Sequence, residues 1–331
     1  MVKATAEAGA NIALVKYWGN RGGELNLPLN NSISLTLDKL RVRTTVDFRP
    51  DFVEDVVVIN GETIEGQARR RIVAHLDRVR DLAGVGLKAR VESSSTFPAG
   101  AGLASSASGF AALTLAATAA LGMELSDREL STLARLGSGS ASRSVLGGYA
   151  EWIAGEDHET SYAISLASAE HWDLKDVVVI VAEGHKEVTS AQGHRLAATS
   201  PFLQARLAEL TEVIPKVRQA ILERDLATLG PLIEHEALSM HAVMMTSRPS
   251  LIYWWPETVR VMQEVRQWRE EGLEVYFTID AGPNLHLMVE PGQMEGLTAK
   301  LAEVEGVKRC IVCGPGEGVR LVVDQGPTKR A

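Results

Sequence analysis

Thiols are nearly missing from this chain: its 331 residues hold two cysteines, Cys310 and Cys313, in the run RCIVCGPG. No second Cys/His pair stands at metal-ligand spacing from them, and the strand-to-helix setting of a redox CxxC is lacking. They are read as structural thiols, free cysteine being a common buried hydrophobe. Positive charge is in deficit too. The 34 Lys and Arg face 42 Asp and Glu, a net charge of −8, and no basic stripe is visible of the kind a nucleic-acid partner requires. The opening run MVKATAEAGAN has no apolar signal-peptide core. The longest nearly uncharged stretch, residues 105–123, is too rich in Ser, Gly and Thr for a membrane span and reads as a buried helix. Repeats, low-complexity tracts and long linkers are absent. A cytoplasmic enzyme is the default expectation, with neither nucleic acid nor membrane as partner.

Hydrophobic residues make up 45% of the chain and charged ones 23%, which suits a large core in one or two domains. The first hundred residues are strand-rich. Residues 41–48 alternate with period two, and residues 56–59 end at an Asn60-Gly61 turn that leads into 62–64 as a hairpin. A helix over 67–82 presents Ile72, Val73, Leu76, Val79 and Leu82 on one face. Residues 87–93 are extended and 105–121 helical, and a further helix starts at Ser126, where Ser-Asp-Arg-Glu fits a capping box. Strand character resumes at Trp152 and over 176–182. Helices follow at 201–221, 226–245 and 256–271, then strands at 275–279, 286–290, 308–312 and 319–323 around a helix at 293–304. Strands first and a helical block later predict an α+β fold of two lobes, 1–190 and 191–331, with the active site between them.

Four segments are chemically loaded. Residues 98–108 read PAGAGLASSAS, small at every position but Leu103, so backbone amides can crowd around a phosphate. The following helix turns its positive dipole end toward the same place. Ser105 and Ser106 add hydroxyls for phosphate oxygens or a magnesium ion. The run is not a P-loop, which needs Gly-Lys-Ser/Thr; a helix entrance chosen for close packing is the competing reading. In NIALVKYWGNR, Lys16 either neutralises phosphate charge or snorkels at a strand end. Residues 137–144, GSGSASRS, offer hydroxyls and one guanidinium, Arg143, whose planar fork suits a carboxylate or a phosphate. Alone, such a loop is also a flexible connection. Asp280, in TIDAGPN, stands at a strand end beside a Gly-Pro turn, as a base or as a turn former.

Taken together, these stretches resemble the mevalonate diphosphate decarboxylase family of the GHMP kinase superfamily. NIALVKYWG, LNLPLNNSISLTL, FPAGAGLASSASGFAAL, ARLGSGSASRSVLGGYAEW, ATSPFLQAR and FTIDAGPN span positions 11–284 in the family's order. ARLGSGSASRS and DAGPN are characteristic of the decarboxylases rather than of GHMP kinases at large. The resemblance implies a two-lobed GHMP kinase-like fold, a homodimer, ATP and Mg2+ as cofactors, and a mevalonate phosphorylated on its 5-oxygen as substrate.

Residue roles come with the resemblance. It implies Asp280 as base for the C3 hydroxyl, Arg143 on the C1 carboxylate, Lys16 at the γ-phosphate, and Ser106 on the ATP phosphates and magnesium. ATP contacts fall further to Ser94, Pro98, Gly100, Ala101, Gly102, Leu103, Ala104 and Ser105. The substrate falls to Asn11, Tyr17, Asn20, Ser138, Gly139, Ser140, Arg143 and His194, with Asn11 positioning Asp280 or the substrate itself. Two positions depart from the pattern. Asn20 stands where the family motif has a second lysine, and Gly193-His194 where Gly-Met is usual. His194 there is either a phosphate donor or a solvated loop histidine. A neutral amide replacing a cation suits a tail with one phosphate fewer. Mevalonate 5-phosphate, giving isopentenyl phosphate, is therefore the expected substrate; mevalonate 5-diphosphate is the alternative, and a GHMP kinase that stops at phosphorylation the second.

Overall fold

The computed structural model describes residues 2–97, 105–183 and 189–322. It opens on a 14-residue strand, β1 (Val2–Val15), antiparallel to the 18-residue β2 (Ser32–Arg49). The pairing shifts register between Gly9 and Asn11. A Cβ at Gly9 would stand 2.6 Å from the Leu37 carbonyl oxygen, so only glycine fits that close approach. β3 (Val56–Ile59) turns into β4 (Glu62–Thr63) through Asn60 and Gly61, with φ of 51° and 85°. Positive φ at both turn residues is what a two-residue hairpin demands.

Helix α1 (Gly66–Ala83) ends at Gly84 in the left-handed conformation and leads to β5 (Lys88–Ser95), which lies between β2 and β3. The alanine-rich α2 (Ser105–Ala120) is buried along most of its length. Its slim side chains let Ala111, Ala112 and Ala116 share a core with Ala6, Ala8, Val46 and Phe48 of the sheet. The expected capping box is present: Ser126 and Glu129 cap each other's backbone at the start of α3 (Asp127–Gly137). One turn of helix, α4 (Ala141–Ser144), then precedes β6 (Tyr149–Trp152) and β7 (Ala163–Ala167), which extend the sheet from the first half of β2.

The second sheet is antiparallel. It begins with β8 (Lys175–Ile180), continues after α5 (Ser190–Leu196), α6 (Leu203–Glu223), α7 (Leu226–Thr246) and α8 (Pro256–Glu270) with β9 (Val275–Ile279) and β10 (Leu285–Val289), and closes after α9 (Met294–Glu303) with β11 (Arg309–Cys313). The strand order is β11-β8-β10-β9. β12 (Arg320–Leu321) returns to the edge of the first sheet beside β1. β8 therefore hydrogen-bonds in the second sheet although it precedes the expected division at 190/191, and the chain's last described strand lies in the first sheet. The lobes are interleaved because sheet pairing follows hydrogen-bond partners, not chain order. Leu210, Val213, Val217 and Ile221 of α6 and Leu229 and Ile233 of α7 share one core with Ile33, Leu35 and Leu37 of the first sheet and Val178 and Ile180 of the second.

Cys310 is exposed and Cys313 buried. Three residues apart on one strand they point to opposite faces, so no disulfide closes between them. Among the described residues no helix is long and apolar enough to cross a membrane.

Candidate active site

A cleft of about 350 Å³ opens where the end of β1, the α3–α4 connection and the end of β9 converge. At its centre is an ion pair. Lys16 is the first residue past β1, and its ammonium donates to Asp280 Oδ1 at 2.8 Å and to the Ala13 carbonyl at 2.7 Å. The lysine side chain is 1% exposed and the aspartate 28%, and both line the cleft. Burial by itself would raise the Asp280 pKa. Lys16, then His286 and Arg143, outweigh it and hold the carboxyl below its ordinary value.

Arg143 is buried in α4. It donates to Ser32 Oγ at 2.5 Å and to Asn11 Oδ1 at 3.1 Å, while its buried Nε has no partner. Burial, opposed by Asp280 and Tyr17, pushes the guanidinium down to about 10, still charged at neutral pH. An unpartnered N–H on a charged group beside a cleft is a place for an incoming acceptor. Asn11 also donates to Ser144 Oγ at 2.7 Å and to the Ser140 carbonyl at 3.2 Å. It holds Arg143 and α4 rather than Asp280, since its amide lies between β1 and that short helix.

Beside this charged cluster stands a group of uncharged rings and hydroxyls. The Tyr17 ring packs edge-on to Trp152 with centroids 4.8 Å apart and stacks on His194 at 4.0 Å. Burial, against the Asn20 hydrogen bond and the charges of Arg143 and Arg135, pushes Tyr17 up to about 12. His194 is no solvated loop residue: it sits half-buried on α5, between Tyr17 and Trp18. Burial, with the charges of Arg143 and Arg206, pushes its imidazole down to about 3. Its Nδ1 accepts from the Gly19 amide at 3.0 Å, so the single proton of the neutral ring is on Nε2. A Cβ on Gly139 would come within 2.6 Å of the Tyr17 ring, which reserves that position for glycine. Ser138 and Ser140 line the cleft alongside, their hydroxyls 3.4 Å apart.

Ser105 and Ser106, exposed at the start of α2, line the cleft as well. Pro98, Gly100, Ala101, Gly102, Leu103 and Ala104 lie outside the described residues. Ser94 is exposed on β5, paired in register with Arg43, and is not part of the described cleft wall. Arg71 went unnoticed in the sequence. It reaches the cleft from α1, donates to the Gly137 carbonyl at 3.1 Å and lies over the Phe110 ring. Its signal in the sequence is the run Arg69-Arg70-Arg71, near the start of that helix. Thr189 and Ser190, at the capped start of α5, also line the cleft.

Comparison with known proteins agrees along the whole chain. Residues 8–163 match the profile of the diphosphomevalonate decarboxylase-like N-terminal domain, and residues 176–313 that of the mevalonate 5-diphosphate decarboxylase C-terminal domain. Phosphomevalonate decarboxylase of Haloferax volcanii is 38% identical over 96% of this chain and 97% of its own length. The crystal structure of mevalonate diphosphate decarboxylase from Staphylococcus aureus superposes with a TM-score of 0.92 at 40% identity, over 97% of this chain and 98% of that one. A related structure, described as a complex with MVAPP, AMPPCP and magnesium, gives a TM-score of 0.91 at 39% identity, over 97% and 99% of the two chains.

Proposed function

This chain belongs to the mevalonate diphosphate decarboxylase family and is an ATP-dependent decarboxylase of the mevalonate pathway, and we propose that its substrate is mevalonate 5-phosphate. The chemistry explains why a decarboxylase carries a kinase-like phosphate loop. Direct loss of CO2 from a 3-hydroxy acid would leave an unstabilised carbanion at C2. Phosphorylating the C3 oxygen turns it into a leaving group. The C1–C2 bonding pair then becomes the C2=C3 double bond as phosphate and CO2 depart.

In this reading Asp280 accepts the C3 hydroxyl proton. Its depressed pKa keeps it ionised at neutral pH, and Lys16 beside it offsets the charge of the incoming phosphoryl group. Arg143 turns its free Nε toward the C1 carboxylate and orients the substrate. The Ser106 hydroxyl on the cleft wall would hold magnesium bound to the ATP phosphates, and the ion would supply charge neutralisation there. Ser105 and the small-residue run before it bind the nucleotide phosphates. Tyr17, Ser138, Gly139, Ser140, Asn20 and His194 receive the 5-phosphoryl tail, with Arg71 on the same wall.

The observation that carries the choice of substrate is Asn20, a neutral amide where the family motif has a lysine, beside Tyr17 and His194, both uncharged at neutral pH, so that one cation fewer faces the tail. A measurement of CO2 release and ADP formation on mevalonate, its 5-phosphate and its 5-diphosphate tests it. Fastest release from the 5-phosphate is expected; faster release from the diphosphate overturns the choice, and ADP without CO2 overturns decarboxylation. A cytoplasmic homodimer is the assembly we assign on the family resemblance, and sedimentation velocity of the purified chain checks the dimer.

A further inference from the structure

Lys16 and Asp280 are 264 residues apart and follow strands of different sheets, yet their side chains meet at 2.8 Å. Between the strands themselves the direct side-chain link is a long one, Thr278 Oγ1 of β9 donating to the Ala13 carbonyl of β1 at 3.5 Å. Helix α7 touches both partners. The backbone amide of Lys16 donates to Glu236 Oε2 at 2.9 Å, and five residues further along the helix His241 Nε2 lies 3.2 Å from the Asp280 carbonyl oxygen. Five residues are about 7.5 Å of helix rise, so one rigid rod carries a grip for each member of the pair.

The grip on Lys16 is two-sided. Glu236 is ion-paired with Arg206 of α6, both 2% exposed. Arg206 also donates to the Lys16 carbonyl at 3.0 Å, which Asn30 shares at 3.1 Å. The ion pair thus brackets the peptide groups on either side of the Lys16 side chain. Burying such a pair is a poor way to gain stability, and Arg206 Nε and Nη1 are buried without partners of their own. On the Asp280 side His241 is buried against Trp254, its ring centroid 4.8 Å away. Burial, then the Lys16 charge, pushes its imidazole down to about 3, so it holds the carbonyl as a neutral donor.

We propose that Glu236 and His241 of α7, with Arg206 as the counter-charge of Glu236, are positioning residues that set the Lys16–Asp280 distance. The proposal rests on the reading of Asp280 as the proton acceptor and Lys16 as its partner. None of the three touches substrate; they act through the two residues that do. The charged and titratable groups facing Asp280 are Lys16 after β1, Arg143 of α4, His286 of β10 and, at its carbonyl, His241. Slackening the α7 grip loosens the first and the last of these and leaves Arg143 and His286 in place.

The test is steady-state turnover with pH profiles on the full chain, using ATP and whichever mevalonate phosphate releases CO2 faster. Glu236→Ala is expected to lower kcat about 100-fold, the scale of a 1 Å misplacement, with both KM values changed less than about threefold. The acid limb of kcat moves to higher pH, because a carboxyl that loses its cation titrates higher. Glu236→Gln, whose amide oxygen still accepts the Lys16 N–H, is expected to recover at least about tenfold of the loss, and His241→Phe to move the acid limb in the same direction. Glu236→Ala and His241→Phe chains with a lower Tm but an unmoved acid limb and unchanged kcat per folded molecule overturn the proposal. If Glu236→Ala does not fold, the pH profiles of Glu236→Gln and His241→Phe decide on the same criterion. Wild-type turnover in Lys16→Met and Asp280→Asn would instead strike at the assigned roles of those two residues.

Discussion

The two ends of the cleft are built on opposite electrostatic plans. At one end Lys16, Asp280 and Arg143 keep their charges away from bulk water, and Asn11, Ser32 and Ala13 fix them in place. At the other, Tyr17, His194, Asn20, Ser138 and Ser140 present uncharged rings, hydroxyls and an amide, with Arg71 as a cation on the same wall. The difference separates two tasks. Charge held in a low-dielectric place is what phosphoryl transfer and carboxylate orientation demand, and it cannot move without loss of rate. Recognition of a phosphate tail can be retuned by one neutral-for-cation exchange, because hydrogen-bond donors remain when the charge is gone.

The charged end should break hardest. Asp280→Asn is expected to cost about 10³-fold or more in kcat while ATP affinity stays within about threefold, measured by nucleotide titration beside CO2 release; near-normal turnover would remove Asp280 as the base. Arg143→Ala should raise KM for the mevalonate phosphate and lower kcat/KM about 100-fold, a loss of about 2.7 kcal/mol. An unchanged rate in that variant argues against carboxylate binding. The neutral end should bend rather than break. Asn20→Lys is expected to move the ratio of kcat/KM for diphosphate over monophosphate upward by about tenfold, about 1.4 kcal/mol, and a ratio that stays put detaches substrate choice from this position.

The last effect concerns stability rather than rate. His75 and His241 are buried with imidazoles pushed down to about 3, mainly by burial. The unfolded chain takes up protons on them below pH about 6.5, and the folded one does not until about 3. Stability is therefore complete above pH 6.5 and falls as pH drops through that window, by up to about 1.4 kcal/mol per pH unit for each histidine. Thermal melts from pH 7 to pH 5 should show a falling Tm that His75→Gln partly flattens; a level Tm would contradict the buried neutral state.

Much of the fold was legible beforehand, and what escaped has a common cause. The helices at 67–82 and 226–245, the hairpin at Asn60-Gly61 and the capping box at Ser126 each carry a local signal, either periodicity or turn chemistry. β1 shows no period-two alternation because every residue from Ala8 to Lys16 is buried, and such alternation needs one wet face. For the same reason only the second half of β2 stood out, since residues 32–37 are buried on both faces. Within the site, Lys16, Arg143 and Asp280 could be picked from their motifs, and the structure brings all three to one cleft. Arg71 could not, because a helical arginine run says nothing about which member points inward.

The sequence by itself determined which chemistry is possible: a small-residue phosphate run, a lysine, an arginine and an aspartate in motifs that mark an ATP-dependent decarboxylase, and an asparagine where a lysine is usual. These are properties of residue type and spacing, and they survive without coordinates. Only the tertiary structure decided that Asn11 serves Arg143, that His194 is neutral with its proton on Nε2, and that α7 holds Lys16 and Asp280 together. Each depends on burial and on partners tens to hundreds of residues away. Protonation and alignment are set by what lies within a few ångströms, and the folded chain alone establishes those neighbours.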